Sequence, residues 1–501
     1  MKYDGYIQSS DYEDLYFDVI QPNIINLNLL FAGFKPVKNK HYLELGFGMG
    51  RSLLTHAVSN EGYFVGTDFN ENQVAFAKNI CEQAKISNLT LYADSFKQLL
   101  ERFRKMKANG EEVGFDFIVL HGIYCWVNEE NRQIILSIIK EFLREGGVVY
   151  ISYNCLPGRA TNMDARHIFK LYSQKKHTEN FDKIFSFTEK FAQLEPENTI
   201  NKNILDTINT HRHSHPIYRV HEFLCDSWYL PYFSDMTETM KNLGGGGDLN
   251  YICECVLAYH FKNFTPKQEN FLAQINDVIF KEQMKDFILN KQFRYDLYGR
   301  RLTKLSKKRI DNYLFEAQFV LLDYPTSQTF EGCEENLKWA YIELISKLEG
   351  EDFAPKKAKK LLAGLNTDKK VFFSLLINLM TLNLVGICVP NTTHKIDEVK
   401  FYNHSLLKEQ KLSQEYIFAC ALTGGGISLD SLERAFLNHY FNENQMNLEE
   451  LFERIYQDEN FHFHDANNQA CKDRESVFTQ LSLHYKKFLR RLPILMKLEM
   501  F

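Results

Sequence analysis

Short apolar runs alternate with helical patterns through the first third of the chain. The runs are His41–Glu44, Tyr63–Asp68, Leu89–Ala93, Asp116–Leu120 and Val148–Tyr153. Between them, apolar positions recur at helical spacing near 51–59, 70–85, 95–108 and 129–144. Runs of this length read as buried strands, and strand–helix alternation predicts a parallel sheet with helices on both faces. In such sheets a ligand sits beyond the C-terminal strand ends. After Gly158 the rhythm stops. Residues 160–215 are polar and helical, an insertion over the ligand face. A helix is predicted over Phe233–Leu243, then the glycine run Gly244–Gly247, then a long strand over Asp248–His260. Residues 1–40 read as a helical extension. From 263 to 501 the pattern is mostly helical, with polar breaks near 325–335, 351–368 and 391–400. No internal repeat is evident.

The first strand–helix junction carries chemistry. Glycines stand at 46, 48 and 50, and the helix opens at Arg51. Missing Cβ atoms let backbone approach a ligand, and free N–H groups would face it. The dinucleotide fingerprint G-x-G-x-x-G needs a glycine where Arg51 stands. The pattern from Glu44 is instead E-x-G-x-G-x-G, which resembles motif I of class I S-adenosylmethionine (SAM) methyltransferases. Asp68, at the second strand tip, can accept hydrogen bonds from ribose hydroxyls, which NAD and SAM share. Asp94 follows the third strand, where an acid of the methyltransferase fold accepts from the adenine amine. Asp94 could instead cap a helix beginning near Ser95.

The resemblance extends further. Phe31-Ala-Gly-Phe-Lys-Pro36, His121-Gly-Ile-Tyr-Cys-Trp-Val127, Ser152-Tyr-Asn-Cys-Leu-Pro-Gly158, His221-Glu-Phe-Leu224 and Asp286-Phe-Ile-Leu-Asn-Lys-Gln-Phe-Arg294 stand in order. Together they resemble bacterial methyltransferases that carry a methyltransferase regulatory domain, a group that includes rickettsial protein lysine methyltransferases. The resemblance spans roughly residues 12–300 and is loose beyond. The chain departs from the family pattern at Ile20-Gln21-Pro22, at Phe47 within the glycine turn and at Gly424-Gly425-Gly426-Ile427. It implies an α/β fold with a Rossmann-like sheet closed by an antiparallel hairpin, one strand of which falls at 249–260. A methyltransferase domain over 1–262 would carry the insertion, followed by a mostly helical region over 263–501, with the regulatory-type segment near 216–300. The implied cofactor is SAM, held by Glu44, Gly46, Gly48, Gly50, Asp68, Asp94, His121 and Gly122.

Methyl transfer needs alignment and exclusion of water more than covalent chemistry. An amine acceptor must lose its proton first. Tyr124 and Trp126, past the end of strand four, could form an aromatic wall for a cationic amine, or simply pack under a lid. Tyr153 and Asn154 are second candidates, as groups that position the acceptor or as strand-end caps. His221-Glu222 could line the acceptor channel or pin the insertion. The resemblance implies a protein amine such as lysine as acceptor. A small-molecule acceptor, or a catalytically silent module that binds SAM or a partner, are the alternatives.

Composition narrows the rest. A net charge of −5 over 501 residues argues against a general nucleic-acid binder. The basic cluster Arg300, Arg301, Lys304, Lys307, Lys308 and Arg309 reads as a solvated face. Ten cysteines form no CxxC pair, and Cys253 and Cys255 would share one strand face, as packing residues of a reducing cytoplasm. His211, His213 and His215 would share a face if they lay in a strand, yet no acid or cysteine stands beside them, and no metal is expected. Phe461-His462-Phe463-His464-Asp465 reads as a loop or edge strand. The apolar run Val371–Val389 is interrupted by Ser374, Asn378, Thr381 and Asn383 and reads as a buried helix rather than a membrane span.

Overall fold

The structure, a computed structural model, describes residues 2–3, 6–7, 15–37, 41–243, 249–255, 264–326, 328–389, 395–407, 416–443, 448–457, 463, 470–471 and 473–501. The N-terminal extension departs from the helical expectation. It carries a short antiparallel pair, β1 (Lys2–Tyr3) and β2 (Tyr6–Ile7), then a single α-helix, α1 (Pro22–Phe31).

The alternating pattern folds as the sequence predicts. Strands β3 (His41–Leu45), β4 (Tyr63–Thr67), β5 (Leu89–Tyr92), β6 (Phe115–Leu120) and β7 (Leu143–Asn154) pair in parallel. Helices α2 (Arg51–Ser59), α3 (Glu71–Gln83), α4 (Phe96–Ala108) and α5 (Glu129–Phe142) connect them. Three of these helices start where a side chain satisfies an orphan backbone donor. Asn70 caps α3, Asn128 caps α5, and Ser95 with Gln98 forms a capping box on α4. The helical insertion is α6 (Met163–Lys176), α7 (Phe181–Ala192) and α8 (Thr199–His211), followed by α9 (Pro216–Leu224) and α10 (Phe233–Leu243). The insertion has its own small core around Phe169, Phe181, Phe185 and Phe223.

The sheet closes with β8 (Leu249–Glu254) and β9 (Phe293–Arg300), in the order β5-β4-β3-β6-β7-β9-β8. Both closing strands are antiparallel to their neighbours. The later strand, β9, lies between β7 and β8, so a boundary at 262 would remove an interior strand. That boundary is corrected: the sheet runs to Arg300. Between the closing strands lie α11 (Pro266–Ala273) and α12 (Val278–Leu289). Of the strand expected over Asp248–His260, residues 249–254 are strand; 248 and 256–260 lie outside the described residues.

Two family motifs meet at this closure. Gly158 N–H donates to the Lys291 carbonyl at 2.9 Å, and a Cβ on Gly158 would lie 2.4 Å from both the Asn290 and Lys291 oxygens. Only glycine fits that approach. The third motif, Phe31–Pro36, docks on the chain just past β9: Lys35 N–H donates to Thr303 O and Leu305 N–H to Gly33 O, both at 2.9 Å.

The region past 300 is mostly helical, with two additions, a three-stranded sheet of β10 (Gln318–Leu321), β11 (Lys356–Lys357) and β12 (Val385–Ile387), and a hairpin of β13 (Tyr416–Cys420) and β14 (Gly425–Leu429). The hairpin packs on α2, which is why every residue of α2 is buried. The apolar run at 371–389 forms part of the helix Lys369–Thr381 and strand β12. No helix among the described residues is long and apolar enough to cross a membrane. The basic cluster is partly consumed: Arg300 donates to the Leu143 carbonyl at 2.5 Å and Arg301 pairs with Glu145 at 2.6 Å. Cys253 and Cys255 both reach the N-terminal segment, at the Asn28 and Val19 carbonyls. Apart from Phe463, the segment Phe461–Asp465 lies outside the described residues.

Candidate functional site

The C-terminal ends of β3, β4 and β6 open into a cavity of about 330 Å³, the size of a small-ligand cleft. Glu44, Gly46, Gly48, Asp68, Asp94, His121, Gly122, Trp126 and Asn154 line it. Gly50, Tyr124 and Tyr153 do not.

The glycine turn works differently from its expected role. Gly46, Gly48 and Gly50 have φ of 76°, 59° and 83°, a left-handed region that L side chains resist. A Cβ on Gly46 would lie 2.5 Å from Ile123 Cδ1. Their N–H groups are not free, however. Gly46 donates to Thr67 O at 2.8 Å, Gly50 to Phe47 O at 3.0 Å, and Gly48 to Asp68 Oδ2 at 3.0 Å. The turn therefore fixes Asp68 and does not cradle a phosphate. Gly50 sits at the N-cap of α2 and shapes the turn from behind.

Charge points to a cationic ligand. Asp68 Oδ1 accepts from Asn70 N–H at 2.9 Å, and burial raises its carboxyl to about 6. Burial raises Glu44 to about 8, and repulsion from Asp68 adds to this. Glu44 Oε2 is buried and has no hydrogen-bond partner. Isolating such a group is costly unless a ligand satisfies it. An α-ammonium or sulfonium next to Glu44, with ribose hydroxyls on Asp68, would do so. A dinucleotide pyrophosphate would meet carboxylates and occupied donors.

At the rim, Ser95 and not Asp94 caps α4, and Asp94 stays on the cavity wall. Arg102 grips its carboxylate at 2.5 and 3.0 Å. His121 is a spacer: Nδ1 lies 3.0 Å from the Tyr150 hydroxyl, its ring lies tilted against Phe17 at 4.0 Å between centroids, and burial lowers its pKa to about 3. Gly122 N–H donates to Ser152 Oγ at 2.8 Å.

Period-two alternation in β7 separates two candidates. Asn154 faces the cavity; its Nδ2 donates to Cys125 Sγ at 3.5 Å, and its buried Oδ1 has no hydrogen-bond partner. Tyr153 faces the other way and donates to Asp296 Oδ2 at 2.5 Å. The expected acceptor role of Tyr153 is corrected to a structural one. Tyr124 is corrected likewise. A turn, closed by Trp126 N–H to Ile123 O at 2.9 Å, sends Ile123 and Trp126 to the cavity and Tyr124 into the apolar core under β6 and α5, beside Tyr229. Tyr124→Ala is therefore expected to cost about 3–5 kcal/mol of stability while folded protein keeps its ligand affinity. Urea unfolding alongside calorimetry checks this; full stability with lost turnover would restore the catalytic assignment.

Leu15, Phe17, Arg159 and Tyr218 also line the cavity, with His221, Glu222 and Phe293. Sequence reasoning missed the first four. Phe17 carries no motif, and its place follows from Phe17 N–H donating to Ser52 Oγ at 2.9 Å. The alternating histidines are not in a strand. His211 ends α8 and packs on Phe223 and Tyr218, while His215 precedes α9.

A methyltransferase domain family matches residues 36–242, and a family described as "predicted methyltransferase regulatory domain" matches residues 216–300. An uncharacterized protein of Synechocystis sp. is 26% identical over 458 residues, which cover 87% of each chain. An uncharacterized protein of Rickettsia prowazekii is 29% identical over 298 residues, 57% of this chain and 51% of that protein. Among solved structures, PKMT2 from Rickettsia typhi in complex with AdoHcy shares the fold, with a TM-score of 0.66 at 20% identity over 97% of this chain and 99% of that one. The unpartnered Glu44 oxygen, the clamped Asp68 and the glycine turn fit the cation and ribose of SAM. The chain is a SAM-dependent methyltransferase with a Rossmann-like fold that combines a methyltransferase domain and a methyltransferase regulatory domain.

Proposed function

We propose that the enzyme methylates a protein amine, the side chain of lysine, and that Glu44, Gly46, Gly48, Asp68, Asp94, His121 and Gly122 hold the donor. The observation that carries the acceptor reading is Asn154 Oδ1, a buried carbonyl oxygen without a partner on the wall of the donor cavity. An amide oxygen accepts an N–H and so orients the nitrogen lone pair. Trp126 lines the same cavity and stacks with Trp228 at 6.4 Å between centroids. Its face suits an alkylammonium. Bound SAM supplies an electrophilic methyl group on a sulfonium. The protein aligns the amine with that methyl and keeps water out. PKMT2 from Rickettsia typhi, solved in complex with AdoHcy, shares the fold that presents this cavity. The regulatory segment takes part directly, because Tyr218, His221 and Glu222 of α9 and Phe293 of β9 lie on the cavity wall.

Incubation with tritiated SAM and lysate fractions tests the reading. Label is expected in protein, as methyllysine after hydrolysis; label confined to small molecules would overturn it. Asn154→Ala is expected to lower turnover about 100-fold, the scale of a misplaced reactant, with SAM affinity within about twofold. Wild-type turnover in that variant, measured by the same assay, would remove Asn154 from the acceptor site.

A further inference from the structure

One cavity group has no role in holding the donor. Glu222, in the last turn of α9, is 5% exposed and lines the cavity with Trp126 and Asn154. Its carboxylate Oε1 lies 3.2 Å from Arg159 Nη1. Its backbone carbonyl accepts from Arg166 Nε at 3.2 Å, which pins the helix end. Arg159 itself keeps a buried Nε without a hydrogen-bond partner. The Tyr218 hydroxyl also bonds this carboxylate, and the Arg166 guanidinium lies near it. Burial raises the Glu222 carboxyl above its ordinary range, against the pull of Arg159, Arg166 and the Tyr218 hydroxyl. The neighbouring His221 adds no positive charge, because burial lowers its pKa too. Glu222 thus stands in the cavity wall with Trp126 and Asn154, where a cation entering the cavity would meet a carboxylate.

We propose that Glu222 selects a primary alkylammonium as acceptor and takes its proton before methyl transfer. The proposal rests on the amine reading above and adds the group that recognises and activates the amine. One N–H bond of the ammonium breaks and its proton passes to the Glu222 carboxylate, leaving a neutral amine held by Asn154 Oδ1. The nitrogen lone pair then forms the N–CH3 bond as the C–S bond breaks and its electron pair returns to sulfur. The products are AdoHcy, a methylammonium and protonated Glu222, which yields its proton to solvent.

The test uses the full chain and two donor-site ligands, AdoHcy and sinefungin, in calorimetry. Sinefungin places an ammonium where SAM carries its transferable methyl. Wild type is expected to prefer sinefungin over AdoHcy. Glu222→Gln should leave AdoHcy affinity within about twofold and cut that preference at least tenfold. An unchanged preference, or no preference in wild type, would overturn the proposal. Arg159→Gln supplies a second arm if Glu222→Gln does not fold. Loss of the counter-ion should strengthen the preference, and a weakened one would overturn the proposal. If both arms come out as expected while no amine is labelled by tritiated SAM, the acceptor reading falls and the ammonium site stands.

Discussion

Glu44→Gln is expected to weaken SAM binding by about 1.5–3 kcal/mol, the range for a hydrogen bond to a charged group, and to remove most of its pH dependence. In the ligand-free enzyme the Glu44 carboxyl titrates at about 8, because burial and the adjacent Asp68 disfavour its charge. The cationic end of SAM favours that charge, so binding at pH 7 must expel a proton. Affinity should therefore rise with pH up to about 8, by at most tenfold per unit. Asp68, at about 6, should add a second, steeper limb below that pH. The variant should keep only the lower limb. Stability moves the other way. The folded pKa of Glu44 lies above its unfolded value, so its stabilising contribution is full in acid and is lost as pH rises through 8. Ligand-free Glu44→Gln should thus be more stable than wild type at pH 8, by a gap that closes toward pH 5. Calorimetry in buffers of different ionisation enthalpy counts the protons. A pH-independent wild-type affinity, or a slope between pH 6 and 8 that survives in the variant, would take Glu44 away from the cation.

The residues that were legible in the sequence share one property: local spacing fixes their place. Glu44, Asp68, Asp94 and the glycines stand at strand ends, and strand ends follow from apolar runs. Direction was less legible. Tyr124 and Tyr153 lie at the expected strand tips, yet a three-residue turn and the period of a strand aim them into the core. Strand alternation could have separated Tyr153 from Asn154, since neighbours on a strand cannot share a face. The N–H groups of the glycine turn were misread because their acceptors, Thr67 O and the Asp68 carboxylate, come from the next strand. Long-range pairing was illegible for the same reason. Two of the three family departures, at Gln21 and Gly424–Gly426, are about 400 residues apart in sequence yet adjacent: Gln21 Nε2 donates to Thr423 O at 2.8 Å. A Cβ on Gly425 would lie 2.2 Å from that same nitrogen. One departure makes room for the other, which accounts for both as packing between the N-terminal segment and the β13–β14 hairpin, outside the cavity lining.

Arg294→Met is expected to be among the most damaging single changes, at about 3–5 kcal/mol. Arg294 is completely buried and donates to Asp286 Oδ1 at 2.6 Å and Asp296 Oδ1 at 2.9 Å, with its guanidinium 4.0 Å from the Phe233 ring centroid. Asp296 in turn accepts from the Tyr153 hydroxyl on β7. The arginine thus ties β9 and α12 to the strand that carries Asn154, and its removal strands two buried carboxyls. Truncation after residue 262 does the same more completely. It strips β9 from the sheet, leaves the β7 edge unpaired along Val148–Asn154, and uncovers α2, whose C-cap residue Asn60 donates from Nδ2 to Gly424 O at 2.6 Å. An unpaired apolar strand edge aggregates. The truncated chain is expected to be insoluble, whereas Arg294→Met should fold at low temperature with a lowered urea midpoint and an unchanged unfolding slope. A soluble 1–262 fragment that binds SAM would show that the regulatory segment is dispensable to the sheet; a variant at Arg294 with wild-type stability would show that the buried cluster is not what holds it closed.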